Sequence, residues 1–194
     1  MKKDIILAGV GGQGILSIAA VIGYAAIENG LFIKQAEVHG MSQRGGDVQS
    51  NLRISDKEIF SDLISQGKAD IIISVEPMES LRYIPMLSAD GWLITNSEPF
   101  INIPNYPELE KIHTEIRSFP RYVLIEADKM AKEINAAKSA NMIILGASSP
   151  YLGIEFDKLE NAIKAIFRNK GEEVIQTNLK ALNLGRDFAL KSGK

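Results

Sequence analysis

The sequence predicts an α/β protein, a three-layer sandwich in which a mainly parallel β-sheet is covered by helices on both faces. Three observations predict it. Short unbroken apolar runs, Asp4-Ile5-Ile6-Leu7-Ala8 and Asp70-Ile71-Ile72-Ile73-Ser74-Val75, read as strands buried on both sides. Each is followed by apolar residues at helical spacing. The first run ends in Gly9-Val10-Gly11-Gly12-Gln13-Gly14, a G-x-G-x-x-G turn between strand and helix that marks a Rossmann-like βαβ start.

The elements follow in order. After the turn, a helix carries Ile15, Ile18, Ala19, Ile22 and Ala26, and Asn29-Gly30 closes it. Leu31 to Val38 reads as a second strand. His39-Gly40-Met41-Ser42-Gln43-Arg44-Gly45-Gly46-Asp47 has no periodicity and three glycines, so it is a loop. Val48, Ser50, Leu52 and Ile54 then alternate with Gln49, Asn51 and Arg53, the pattern of a half-buried strand. Ser55-Asp56-Lys57 turns the chain, and Glu58 to Phe60 is expected to return as a hairpin inserted into the sheet.

A second βαβ-like unit begins at Asp70. Glu76-Pro77 opens its helix, with proline at a tolerated first-turn position. That helix is expected to run through Leu81, Ile84 and Met86-Leu87 to Asp90-Gly91, before a strand Trp92-Leu93-Ile94-Thr95 that ends at Asn96. Pro99 to Pro120 holds four of the seven prolines and reads as a long connection with one short helix near Pro107 to Ile112. Tyr122 to Ile125 is a strand and Asp128 to Lys138 a helix. Asn141 to Leu145 fits a strand or a buried helix equally, because short apolar runs do not separate the two. Two helices finish the chain, with stripes Phe156, Leu159, Ile163, Ile166 and Ile175, Leu179, Leu182, Gly185, Ala189. A single domain over residues 1–194 is expected.

Composition narrows the function. The 22 basic and 24 acidic side chains nearly cancel, which gives no field for steering nucleic acid or an anionic membrane. No apolar run reaches membrane-spanning length. The N-terminal residues begin like a signal peptide but run straight into the glycine turn, so they read as the first strand, and a soluble, cytoplasmic protein is expected. There is no cysteine, so the chain offers no thiolate for an iron–sulfur cluster or a nucleophile. His39 and His113 are too few and too far apart for a familiar zinc site. No metal site and no catalytic set of nucleophile, base and orienting group stands out.

The residues that could bind are concentrated at one edge. In a parallel sheet, the loops after the strand carboxyl ends lie together, which would gather Gly9, Gly11, Gly12, Gln13 and Gly14, the loop from His39 to Gly46, Glu76 and Asn96. Free amides at a helix start favour an anion, so the turn is suited to a phosphate; it is equally suited to a close neighbouring backbone. Glu37, past Gly14 at a strand end, could meet a ribose or be an ordinary strand-end carboxylate. Arg44 stands before two glycines, where its forked guanidinium could meet a carboxylate, a phosphate or a partner's backbone, or be solvated. Glu76 reads as a helix-start carboxylate and Asn96 as a turn former.

With these residues in view, the chain resembles the gamma-type subunits of 2-oxoacid:ferredoxin oxidoreductases, and within them the small subunits acting with indolepyruvate. The resemblance rests on Gly9-Val10-Gly11-Gly12-Gln13-Gly14, on Glu37-Val38-His39-Gly40-Met41-Ser42-Gln43-Arg44-Gly45-Gly46, on Glu76-Pro77 with Leu81-Arg82-Tyr83, on Gly91 to Asn96, and on Asn178-Leu179 with Gly185-Arg186. The His39 to Gly46 run is its specific part. The resemblance implies a non-catalytic small subunit that supports conversion of a 2-oxoacid and coenzyme A to acyl-CoA and carbon dioxide, with electrons passed to ferredoxin. It implies that thiamine diphosphate and the iron–sulfur clusters sit in a large partner subunit, matching the absence of cysteine. Coenzyme A is the substrate that the glycine turn would meet, and His39, Gly40, Met41, Ser42, Gln43, Arg44, Gly45, Gly46, Glu76 and Asn96 would form the interface or the coenzyme A entrance. Isolated, the chain could form a homodimer. Against this stand relatives acting on pyruvate, 2-oxoglutarate or branched-chain 2-oxoacids, and an independent NAD- or flavin-binding Rossmann protein using Glu37.

Overall fold

A computed structural model describes residues 1–39 and 45–192. Its strands are β1 (Lys2–Val10), β2 (Phe32–His39), β3 (Asp47–Ser55), β4 (Ala69–Ser74), β5 (Leu87–Asn96) and β6 (Tyr122–Ile125). They form one six-stranded sheet in the order β2-β3-β1-β4-β5-β6. β1, β4, β5 and β6 pair in parallel, whereas β3 runs antiparallel to both β1 and β2. β1 is central and covered on both faces, which is why Ile5 to Ala8 is apolar without alternation.

The helices are α1 (Ile15–Glu28), α2 (Pro77–Arg82), α3 (Leu109–Arg117), α4 (Ala127–Glu133), α5 (Ala140–Leu152), α6 (Phe156–Ile166) and α7 (Glu172–Ser192). The two faces carry separate cores. Ile5, Leu7, Ile71, Ile73 and Ile94 point to one side and pack with α1, α4, α5, α6 and α7. Ile6, Ile72 and Leu93 point to the other, with Ile112 and Ile116 of α3 and partly buried Met78 and Leu81 of α2. Adjacent residues of one strand thus feed different cores, as the alternation of a pleated strand requires. Among the described residues, no helix is long and apolar enough to cross a membrane.

The mainly parallel sheet with helices on both faces is as the sequence predicts, but the hairpin lies elsewhere. β2 and β3 are its two arms, paired from Phe32–Ser55 to His39–Val48. Glu58 to Phe60 is not a strand, and Phe60 is 88% exposed. Instead this segment crosses the second face, where Arg53 Nη1 donates to the carbonyls of Ser61 and Leu63 and Ile64 N donates to Asn51 Oδ1. Polar side chains of β3, rather than strand pairing, hold it.

Other boundaries shift for local reasons. The helix opened by Glu76-Pro77 stops at Arg82, because Pro85 removes a donor and disfavours helical backbone before it. A 3-10 turn, Ile84–Met86, leads directly into β5, which starts at Leu87 rather than Trp92. α4 ends early, where Asn135 takes a left-handed conformation (φ 57°). The short helix of the proline-rich connection lies later than expected, at Leu109–Arg117. Asn141 to Leu145 belongs to helix α5, whose residues Met142 to Ser149 are all buried between the sheet and α7. A helix covered on both sides is apolar all round, so its sequence lacks the stripe that would have identified it.

Candidate functional site at the strand ends

β1, β2, β4 and β5 all deliver their carboxyl ends to one edge, and β3 starts there. Val10 pairs with Asp47, Ala8 with Ser74 and Ser74 with Thr95. The edge therefore gathers the glycine turn, Gly45 and Gly46 before β3, Glu76 and Asn96. The individual residues do different things there.

The glycines of the turn are required for three different reasons. A Cβ on Gly9 would collide with Val75 Cγ2, so β4 can approach β1 only because that position is bare. Gly14 is left-handed (φ 81°), and a Cβ on it would meet Asn141 of α5, whose Nδ2 donates to Gly14 O at 3.1 Å. Gly12 (φ 102°) has open space around it and is exposed. Gln13 acts as a brace between strand ends. Its Oε1 accepts from Val10 N at 2.8 Å and its Nε2 donates to Val75 O at 3.4 Å.

The turn is also tied to the hairpin. Gly11 N donates to Gly46 O at 2.9 Å, and Gly45 N to Gly11 O at 3.4 Å. Asn102 Nδ2 donates to Gly45 O at 2.6 Å from the connection after β5. Nothing in the composition of that connection singles Asn102 out. His39 closes β2 opposite Val48, and Gly40, Met41, Ser42, Gln43 and Arg44 lie outside the described residues.

Glu76 and Asn96 are buried at this edge, and Asn96 forms part of a cleft wall with Gly12 and Gln13. Glu76 is fully buried and caps α2, accepting from Glu79 N at 2.8 Å. It also accepts from Phe100 N at 3.3 Å and Tyr106 Oη at 2.5 Å, so it fastens the connection after β5 to the end of β4. Burial pushes its carboxyl pKa up, against these hydrogen bonds, and burial followed by the Glu76 contact raises that of Tyr106. Asn96 is equally buried; its Oδ1 accepts from Ala127 N at 3.0 Å and its Nδ2 donates to Asp128 Oδ2 at 2.7 Å, joining β5 to the start of α4. Both side chains hold the loops that follow their strands in place. His113 is likewise used internally, its Nε2 donating to Ser97 O at 2.8 Å.

Clefts flank the turn on several sides; one, of about 350 Å³, has Asn96, Asp128 and Lys138 on its wall with Gly12 and Gln13. The larger of two others, about 740 Å³, lies between the start of α1, the residues before α5 and the start of α7. Its lining includes Gly12, Gly14, Ser17, Lys138, Lys170, Glu173 and Thr177, so two lysines and a glutamate share a cleft with the start of α1, whose positive end favours an anion. Lys138 and Lys170 come from separate 3-10 turns and have no motif, so sequence reasoning missed them. The smaller of these two, about 430 Å³, has Glu37 on its wall with Gly11, Leu16 and Val48. Here β3 stands between the strand of Glu37 and β1, unlike the order in which an acid of the second strand neighbours the first. Among the described residues, no group of three or more His, Asp or Glu side chains could hold a metal ion.

This arrangement has relatives. A family model described as "Pyruvate ferredoxin/flavodoxin oxidoreductase" matches residues 4–188. The chain is 35% identical over 98% of its length to "Indolepyruvate oxidoreductase subunit IorB" of Archaeoglobus fulgidus, covering 96% of that protein. It is 34% identical over 95% of its length to the subunit of the same name from Pyrococcus horikoshii, covering 95% of it. Among solved structures, pyruvate oxidoreductase subunit PORC from Thermotoga maritima superposes with a TM-score of 0.74 at 23% identity, over 96% of each chain. A 2-oxoglutarate:ferredoxin oxidoreductase from Magnetococcus marinus, with 2-oxoglutarate, coenzyme A and succinyl-CoA bound, gives a TM-score of 0.78 at 23% identity. That match covers 98% of this chain but only 31% of the larger polypeptide. At that identity both structures speak for the fold alone.

Proposed function

The chain belongs to the pyruvate ferredoxin/flavodoxin oxidoreductase family, and we propose that it is the small, non-catalytic subunit of an indolepyruvate:ferredoxin oxidoreductase. One observation carries the substrate assignment. The four indolepyruvate subunits match at 32–35% identity, while 2-oxoglutarate and pyruvate subunits match at 27–30%. The reaction it supports is the coenzyme A-dependent oxidative decarboxylation of an aryl 2-oxoacid to acyl-CoA and carbon dioxide, in the cytoplasm. Thiamine diphosphate and the iron–sulfur clusters belong to a large partner subunit, which reduces ferredoxin. The absence of cysteine supports that division for the clusters.

The small subunit's own contribution is to bind and to hold. Gly12, Gly14, Lys138 and Lys170 face a cleft that would take the phosphates of coenzyme A, whose negative charge suits the helix start and the two ammonium groups. The hairpin tip from His39 to Gly46, with Arg44, meets the large subunit at the coenzyme A entrance. Without that partner, the chain pairs with a second copy of itself.

Co-expression with a large subunit carrying the cysteine and thiamine motifs, followed by reduction of ferredoxin or a viologen dye, tests the assignment. Indolepyruvate should be the best of a panel that includes pyruvate, 2-oxoglutarate and branched-chain 2-oxoacids. A Lys138→Ala/Lys170→Ala complex should assemble normally and need about ten-fold more coenzyme A, a loss of roughly 1.4 kcal/mol. Preference for another 2-oxoacid overturns the substrate; an unchanged coenzyme A requirement overturns the cleft.

A further inference from the structure

β2 is an edge strand eight residues long, and its outer side is unpaired among the described residues. α1 runs alongside it on the first face. Leu16 and Glu37 line one cleft, and a Cβ on Gly23 would stand 2.8 Å from Ile33 Cδ1. The outward stripe of α1 in that sector is Leu16, Ala20, Tyr24 and Ile27, all exposed, and Glu28 is the sole charged residue of the helix. An uncharged outer stripe beside an open strand edge is unusual for a surface exposed to water.

We propose that a second copy of this chain covers both features, pairing its β2 antiparallel to this one and packing its α1 against this one. The proposal deepens the self-pairing part of the proposed function and is independent of the coenzyme A cleft.

The strand itself argues for a second copy as occupant. A two-fold axis perpendicular to the sheet keeps the same face of both copies up, so each residue stands opposite one of its own face. The axis must therefore pass through a residue. With the axis at Gln35, Phe32 stands opposite Val38 of the other copy, and these apolar side chains are 51% and 57% exposed in the single chain. Lys34 then faces Ala36, keeping its own partner Asp62 at 3.0 Å, and Glu37 faces Ile33. No like charges stand directly opposite. Moving the axis to Ala36 would set Lys34 against Val38, so the pattern selects Gln35.

The helices agree with this axis. Two copies of α1 related by it run antiparallel, bringing Glu28 of one to the N-terminal turn of the other, where the dipole favours a carboxylate. A stable interface needs about 800 Å² from each partner, more than one short strand supplies, so the stripe of α1 must contribute to it.

The test uses the full chain, whose lack of cysteine makes any introduced thiol unique. Sedimentation equilibrium at about 100 μM should give a dimer, and Ile27→Glu should weaken it at least about ten-fold with the circular dichroism unchanged. Gln35→Cys should cross-link to its own copy with a short dimaleimide, since residues at such an axis have Cβ atoms about 5 Å apart. Lys57→Cys should not. A monomer at that concentration overturns the self-pairing. A dimer that persists in Ile27→Glu, or that fails to cross-link through Cys at position 35, overturns this surface.

Discussion

Gly146 of α5 and Gly185 of α7 interlock where the two helices cross. A Cβ on Gly146 would run into the Leu182 carbonyl, and one on Gly185 into the Ile143 carbonyl, so each helix backbone lies where a side chain of the other would be. α7 is thereby drawn onto α5, which in turn is the inner layer over the parallel strands. The stripe of α7 contains Gly185 for this contact rather than for packing on the sheet.

Gly185→Ala should destabilise the fold by about 3 kcal/mol or more, because backbone cannot move aside as a flexible side chain can. Gly146→Ala should cost a similar amount. The double variant should lose less than the sum, since separating the helices once relieves both clashes. Urea unfolding of the three variants provides the check.

Glu76→Gln should leave a folded protein with altered pH dependence. The folded-state pKa of Glu76 is raised above its ordinary 4.5, chiefly by burial. A carboxyl shifted in that direction contributes its full stability below 4.5 and loses it as pH rises through the folded value. The glutamine variant lacks this loss, so its stability relative to the natural protein should increase from pH 4 towards pH 7. Glu76→Ala instead strands the donors of Glu79, Phe100 and Tyr106 and should cost about 3 kcal/mol at either pH. Denaturant midpoints at the two pH values distinguish the variants.

Arg53→Met should cost about 3 kcal/mol. Its guanidinium makes two bonds to buried Asp4, at 2.7 and 3.2 Å, and its loss leaves that carboxylate with only the exposed Lys2 as a counter-charge. Because Arg53 also holds the Ser61 and Leu63 carbonyls, residues 56–68 should become sensitive to protease in the variant while the sheet remains folded. Limited proteolysis with mass mapping would show this.

Asn102→Ala should loosen the hairpin without unfolding the sheet. It removes a bond to Gly45 O worth about 1 kcal/mol, so amide exchange at the start of β3 should quicken about five-fold. Exchange in β4 should be unchanged.

On the proposed function, in which Arg44 meets a large subunit, Arg44→Ala should weaken that assembly by about 2–5 kcal/mol or raise the coenzyme A requirement. Co-purification yield and coenzyme A dependence of dye reduction measure the two outcomes. If neither changes, Arg44 has no part in either contact.

Most of the sheet was legible because a central strand covered on both faces needs an unbroken apolar run. β1 and β4 satisfy that requirement over Ile5–Ala8 and Ile71–Ile73. The glycine turn was legible for a related reason, since strand, turn and helix are contiguous in sequence. The hairpin was misplaced because the glycine-containing loop between β2 and β3 is longer than the tight turns that mark a hairpin in sequence. The segment after β3, with its apolar Ile59 and Phe60, resembled the missing arm. α5 could not be read because burial on all sides erases the periodicity on which such a reading depends.

The sequence by itself determined that this is an α/β chain with a glycine turn, no thiol for a metal cluster and a specific run from His39 to Gly46. These are local facts, written in spacing and composition. The tertiary structure alone decided that β3 separates Glu37 from β1, that Glu76 and Asn96 are buried at the strand-end edge, and that Lys138 and Lys170 line one cleft with Gly12 and Gly14. Those relationships join residues far apart in sequence. They depend on which strand pairs with which and on how closely two helices approach, and no local pattern encodes either.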